Sequence, residues 1–464
     1  MRTKIKKNTQ MIIVLLYIAI GMNFVFQMSK VDIQYALEYI VVLVSYFFMT
    51  GIWILCICRF GFYLFEPITM VVVLTILTFS IEPMISMITN DTLLAGFDVY
   101  DGCIKATLIY MLALTFFFFV YYNRFSFSEN HYHNDLNTWN GDYNQSEKLI
   151  VLAYAFTIVG IAVSLVDLIK HGFSLHYILS LGSSGSFDAK EESIGVFINL
   201  RYMMLPGFLY LDLYSNKKVI NNFLRIIAVA CMFMRNKRWI IVLIILSPIV
   251  LHYIKNKKKP SVKIMISTAL FMALLIGAMQ YMRGVSSSIS SVDWSSFNLL
   301  SIWKAFSGNL DLYKTLYAAV VYFPDEHFYT LGQQLVYLTL VTCIPRAIWK
   351  NKPVSIIDNQ LKPYFMGNGA VRGAWAYAQL TEFYIEFGIV GVVICMCVFA
   401  RFCKFLKKCT FQPKNVHDLV IAATYFPMLM QLVIRGYMPI NFWAMFFMMV
   451  PIIVIRAVEK GERY

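Results

Sequence analysis

Residues 37–58 read LEYIVVLVSYFFMTGIWILCIC. No charged side chain falls between Glu38 and Arg59, and a helix of roughly 20 such residues is as long as the hydrocarbon core of a bilayer is thick. The stretch reads as a membrane-spanning helix. That reading decides the fold, because runs of the same kind recur along most of the chain.

The runs are 10–28, 37–58, 67–88, 103–123, 148–169, 195–214, 219–234, 239–255, 262–282, 384–403, 416–434 and 437–456, about twelve in all. Composition agrees: of 464 residues 59% are hydrophobic and only 14% charged, the balance of a polytopic helical membrane protein. The expected fold is therefore all-α and forms one integrated membrane domain. Residues 1–282 would form an N-terminal bundle of about nine spans. A long segment, 283–383, would follow, and 384–464 would add about three more spans. The first run follows Arg2, Lys4, Lys6 and Lys7 but has no small-residue cleavage site, so it reads as a retained span and not a signal peptide.

The net charge is +14, which in a soluble chain would suggest nucleic acid. Here it follows topology instead. With a cytoplasmic N-terminus, alternation places Arg59, Arg124, Lys217, Lys218, Lys255, Lys257, Lys258, Lys259, the cations from Arg401 to Lys414, Arg456, Lys460 and Arg463 on one side. Cations beside helix ends hold loops in the cytoplasm and meet anionic lipid. Both termini are then cytoplasmic, membrane lipids are the surrounding partners, and no nucleic acid is implied.

Few signals point to cofactor chemistry. The nine cysteines are mostly scattered through apolar runs and read as buried thiols. The histidines of HYH (131–133) have no companion ligands, and His171, His176 and His327 share no metal spacing, so no metal is expected. GSSGS (182–186) lacks the lysine of a phosphate loop, and no Walker or dinucleotide fingerprint occurs, so no cofactor is expected.

The opposite side holds the long segment 283–383. It is too long for a bare connector and carries apolar stretches such as LVYLTLVTCI (335–344), which suggests short interfacial or re-entrant helices. Cations here run against the topological rule: Arg235, Lys237, Arg238, Arg283, Lys304, Arg346, Lys350, Lys352, Arg372 and Arg435. Several abut span ends, where converging guanidinium forks would suit a diphosphate. The plainer alternative is snorkelling to lipid phosphates or pairing with Glu382, Glu386, Asp325 and Glu326. Glu382, at the head of a span, is either a general base or an arginine partner. Trp294, Trp303, Trp349 and Trp375 fit an interfacial belt.

Four stretches carry a resemblance: HGFSLHYILSLGSSGSF (171–187), RNKRWII (235–241), YMRGVSSSIS (281–290), and the pair CIPRAIWKNKP (343–353) with LTEFYIEFG (380–388). In this order they resemble the Wzy-type repeat-unit polymerases of bacterial O-antigen, capsular and exopolysaccharides, related to the enterobacterial common antigen polymerase. Ile344, Pro345, Trp349, Lys352 and Pro353, then Glu382, Tyr384, Phe387 and Gly388, take the family's places. Arg238 takes the place of an arginine that in relatives follows paired glycines, which are missing here.

The resemblance implies a GT-C-like membrane glycosyltransferase of the bacterial cytoplasmic membrane, with the long segment outside. Its substrate would be an undecaprenyl-diphosphate-linked oligosaccharide, and a flippase and a chain-length regulator would be its partners. Arg238 and Arg283 would hold the diphosphate and Glu382 would assist. Arg235, Arg346, Lys352, Arg372, Arg435, Trp349 and Tyr384 would contact substrate. A ligase using the same donor and a flippase of lipid-linked sugars are the alternatives, though inverted repeats and charges deep in the spans, which a transporter would show, are not evident.

Overall fold

The computed structural model describes residues 7–61, 63–94, 97–123, 146–170, 195–234, 237–256, 260–261, several positions between 263 and 274, and 310–344, 348–349, 351, 353 and 377–461. Its helices are α1 (Lys7–Gln27), α2 (Ala36–Phe60), α3 (Pro67–Ile76), α4 (Glu82–Ile88), α5 (Cys103–Tyr122), α6 (Glu147–Lys170), α7 (Met204–Tyr214), α8 (Lys218–Met234), α9 (Arg238–Lys255), α10 (Tyr313–Tyr322), α11 (Leu338–Thr342), α12 (Gln379–Phe411), α13 (Val416–Ile434) and α14 (Met438–Gly461). A π-turn, Leu77–Ile81, joins α3 to α4, a 3₁₀ stretch, Gly195–Met203, leads into α7, and a second π-turn, Gln333–Tyr337, leads into α11. Among the described residues the strands are the pair β1 (Leu93–Leu94) and β2 (Phe97–Asp98), antiparallel with Leu93 opposite Asp98.

Local chemistry sets the boundaries. Apolar side chains favour a helix in lipid because only there does every main-chain group find an internal partner. Helix α2 stops at Gly61, whose φ of 84° continues no right-handed helix. Pro67 opens α3 at the one position where its missing N–H costs nothing. The Asn415 side chain caps α13 by accepting from the Asp418 N–H at 3.0 Å.

Among the described residues eight stretches are long and apolar enough to cross a membrane: Ile33–Phe60, Pro67–Ile88, Tyr100–Tyr122, Glu147–Ile169, Arg238–Lys255, Gln379–Phe411, Val416–Ile434 and Met438–Gly461. The chain is thus a mainly helical, multi-pass membrane protein. The expected runs 10–28, 195–214 and 219–234 are helical too: the 21-residue α1, a 9-residue 3₁₀ lead into the 11-residue α7, and the 17-residue α8. The run 262–282 lies largely outside the described residues.

Apolar side chains lie on both sides of the helices. One contiguous core contains Tyr39, Val72, Tyr110, Phe117, Tyr210, Ile244, Ile385 and Met428. Leu55, Phe119, Val151 and Val390 point outward and are exposed, as on a lipid-facing surface. Mid-span polar contact runs through hydroxyls: Ser45 to Ser80 at 3.3 Å and Ser80 to Tyr110 at 3.4 Å.

Charged contacts gather at the two ends. At one, the lower, Lys407 pairs with Glu66 at 2.7 Å, Lys404 donates to the Asn123 carbonyl at 2.8 Å, and His417 joins Tyr210 (2.7 Å) to Glu459 (2.8 Å). At the other, the upper, Lys105 donates to the Val320 carbonyl at 3.0 Å and Lys314 reaches Asp91 at 3.3 Å. These contacts join loops that strict up-and-down alternation of the helices places on the same side.

Candidate functional site

The upper end is organised by the first two turns of α12, QLTEFYIE. Spacing of i to i+4 puts Glu382 and Glu386 on one face. Both are buried, at 1% and 0% exposure. The two oxygens of Glu382 accept from the Met438 N–H, at 3.1 and 3.0 Å, where α14 begins. Glu386 accepts from the Gly332 N–H at 2.7 Å and from the Leu335 N–H, at the head of the π-turn before α11. A carboxylate facing the exposed N–H groups of a helix start is favoured by the helix dipole. Glu382 therefore has the geometry of a helix cap, with both oxygens engaged, and not that of a base open to a hydroxyl.

Helix α12 breaks immediately beyond. Phe387 has φ −143° and Gly388 φ 63°, ψ −148°, a conformation essentially restricted to glycine. The Tyr329 ring occupies the space, and a Cβ on Gly388 would lie 2.8 Å from it. Tyr384 is buried and donates to the Phe323 carbonyl at 3.2 Å, while the Tyr329 hydroxyl donates to that of Tyr384 at 3.4 Å. The head of α12 is thus a socket for residues 323–337. Trp443 of α14 adds a further tie by donating to the Thr339 carbonyl at 2.8 Å.

Arg435 follows α13 and leads into α14. Its carbonyl accepts from Asn441 at 2.9 Å, and the Gly436 N–H donates to the Tyr377 carbonyl at 2.8 Å. Gly436 is needed because a Cβ would collide with the Gln379 backbone. Arg238 is the first residue of α9 and is buried at 8% exposure. A cation at a helix N-terminus is opposed by the dipole. Helix α9 packs along α13. Its lower end is fixed through Tyr253, stacked on Phe65 at 5.8 Å, and Phe65 meets Phe426 at 5.6 Å. Arg238 and Arg435 accordingly lie at the same end of the bundle, with Glu382.

Arg235, Arg283, Arg346, Lys352 and Arg372 lie outside the described residues, as do the stretches 171–187 and 281–290. Trp349 is half-buried. Tyr384 belongs to the packing of the socket.

Two groups at the upper end escaped the sequence reading. Asp167 of α6 and Arg201 of the 3₁₀ stretch are buried and 3.8 Å apart. The Arg201 guanidinium lies 5.3 Å over the Tyr202 ring, and that ring packs at 5.2 Å on Trp239, the neighbour of Arg238. The available signal was one charge inside each of two otherwise apolar runs. The second group centres on Lys314, only 2% exposed, which pairs with Asp91 and Asp311 at 3.3 Å each. Burial raises the Asp311 carboxyl above its ordinary range, against the opposing pull of Lys314. Nearby, the Tyr100 and Tyr313 hydroxyls meet at 2.9 Å.

Among the described residues no group of His, Cys, Asp and Glu could hold a metal. A cavity of about 320 Å³ lined by Pro248, Ile249, His252, Tyr253 and Ile264 lies at the lower end, away from these residues, and its walls are apolar.

A family model described as O-antigen polysaccharide polymerase Wzy matches residues 7–460. No curated protein and no solved structure matches the chain.

Proposed function

Because the chain belongs to the O-antigen polysaccharide polymerase Wzy family, matched over residues 7–460, we propose that it polymerises undecaprenyl-diphosphate-linked oligosaccharides at the outer leaflet of the bacterial cytoplasmic membrane. The match over nearly the whole chain is the observation that carries this reading. The upper end of the bundle is then the outer face, both termini are cytoplasmic, and about twelve spans form a GT-C-like fold.

In the reaction an acceptor hydroxyl of the incoming repeat unit attacks the anomeric carbon of the growing chain. A new glycosidic C–O bond forms, the C–O bond to the carrier diphosphate breaks, and the hydroxyl's proton passes to the departing diphosphate. The leaving group gathers negative charge as it departs, so fixed cations in a dry site lower the barrier. Arg238 and Arg283 are proposed to hold the diphosphate. Arg235, Arg346, Lys352, Arg372 and Arg435 are proposed to contact substrate nearby, with Trp349 toward the glycan and Tyr384 acting through the packing of the socket. Glu382 is proposed to act by orientation: it fixes Met438, three residues beyond Arg435. A flippase and a chain-length regulator are the expected partners.

The test is the glycan length profile of cells lacking the protein, rescued by wild type or by Arg238→Ala and Arg283→Ala. Single-repeat products without the protein, and failed rescue by either variant, are expected. Unchanged chain lengths in its absence would sink the reading. Long chains left unattached to their final acceptor would point to a ligase.

A further inference from the structure

Two opposite charges meet inside the upper end on elements that are otherwise apolar. Asp167 lies in IAVSLVDLIK (161–170) and Arg201 in GVFINLRYM (195–203). Their side chains are 1% and 7% exposed. Their 3.8 Å separation is an ion-pair distance but too long for a hydrogen bond. Among the described residues the Nε and Nη1 atoms of Arg201 are buried without a hydrogen-bond partner, and Nη1 is the nitrogen that faces Asp167. Nη2 donates to the Tyr202 hydroxyl at 3.5 Å.

A carboxyl or lysine in such a place can discharge itself by changing protonation. A guanidinium cannot, because it stays charged throughout the physiological range. Buried donors without acceptors are costly and rare in native proteins, so a guanidinium with two unsatisfied nitrogens, one of them facing a carboxylate beyond hydrogen-bond reach, has donor capacity left for a further acceptor. Asp167 offsets part of the charge and fixes the group from one side, while the Tyr202 face supports it from another. The Tyr202 ring packs on Trp239, the residue that follows Arg238 in α9.

We propose that Arg201 is a further anion-binding residue of the polymerase, donating from Nε and Nη1 to a phosphate oxygen of the lipid-linked diphosphate beside Arg238. Asp167 is its positioning residue. The assignment rests on the diphosphate-linked donor proposed above. The same phosphate chemistry is offered by phospholipid headgroups, and the experiment separates the two sources.

The test uses the full chain in phosphatidylcholine nanodiscs, with undecaprenyl diphosphate as the probe, titrated by native mass spectrometry, together with donor kinetics. Two variants are compared with wild type. Arg201→Lys keeps the charge pair but loses the planar fork. The double variant Arg201→Gln with Asp167→Asn removes the pair without stranding a buried carboxylate. The double variant is expected to bind the probe about tenfold more weakly, and Arg201→Lys about threefold, with wild-type melting and a rise in donor KM larger than any fall in kcat. Excess phosphatidylglycerol is expected not to displace the probe.

A merely structural ion pair predicts wild-type affinity and KM for Arg201→Lys, and that outcome overturns the proposal. Displacement of the probe by phosphatidylglycerol in wild type but not in the double variant overturns it too, because the site would then serve headgroups. Wild type that binds no probe sinks the donor reading as well. Wild type and both variants binding it equally would sink the Arg201 assignment alone. Should the double variant fail to fold, Arg201→Lys decides.

Discussion

Glu382 and Glu386 stand one turn apart at the head of α12, and each holds main-chain N–H groups of a different element: Met438 for Glu382, Gly332 and Leu335 for Glu386. Two buried carboxylates thereby tie α14 and the 323–342 segment to one helix. Replacing Glu386 by Gln sets an amide NH₂ against an N–H donor and should cost about 1–3 kcal/mol. Melting of the purified protein in detergent measures it. Glu382 meets one N–H with both oxygens, so Glu382→Gln keeps an acceptor for it and should cost less, while Glu382→Ala, by freeing the turn after Arg435, should lower polymer yield in cells at matched expression.

Gly388 is the second test of that socket. Its φ of 63° and ψ of −148° exclude other residues, and the Tyr329 ring fills the space beside it. Gly388→Ala should destabilise by about 1–3 kcal/mol. Combining it with Tyr329→Ala should recover only the steric part. Full recovery by the double substitution would show that the ring, and not the backbone, sets the cost.

Lys314 is buried, but its partners are partly solvated: Asp311 is 33% and Asp91 65% exposed. Breaking a fully buried pair costs about 3–5 kcal/mol, and water at these carboxylates should reduce the cost of Lys314→Met to about 2 kcal/mol. Chemical unfolding compared with Lys314→Arg, which keeps the charge, isolates the electrostatic part.

Asp311 supplies a pH dependence of known sign. Burial raises its carboxyl in the folded state, so between the ordinary aspartate value and that raised value the folded chain binds more protons than the unfolded one. Stability from this group therefore falls as pH rises through that window and is level above it. Wild type measured against Asp311→Asn should lose relative stability on going from acid toward neutral pH. A difference independent of pH would refute the assignment.

The orientation of the bundle is open to labelling. Glu326→Cys, at the upper end, should react with an impermeant maleimide in intact spheroplasts. Lys408→Cys, at the lower end, should react only after permeabilisation. The reverse pattern would place the arginines in the cytoplasm and remove the proposed chemistry.

The spans were legible because hydrophobicity is written along the chain residue by residue, and the helices fall on the apolar runs from Ala36–Phe60 to Met438–Gly461. The location of Arg238 and Arg435 at one end also followed from counting crossings. What Glu382 does was not legible. Its sequence context suggests chemistry, whereas its capping role depends on Met438, which lies 56 positions away along the chain. The Asp167–Arg201 contact was hidden for the same reason: each charge alone looks like a blemish in an apolar run, and only packing makes them a pair. Lys314 sits in YKTLYAAVVY, where nothing local indicates that Asp91 will face it.

Among the described residues the ion pairs sit toward one rim or the other, and the polar contacts at mid-depth are neutral hydroxyls such as Ser45, Ser80 and Tyr110. A transmembrane potential does work only on charge that moves through its drop. With these charges at the margins, the described part of the bundle offers the field little to grip. Its rate of chain growth should therefore be indifferent to the energised state of the membrane, and should follow the supply of substrate instead.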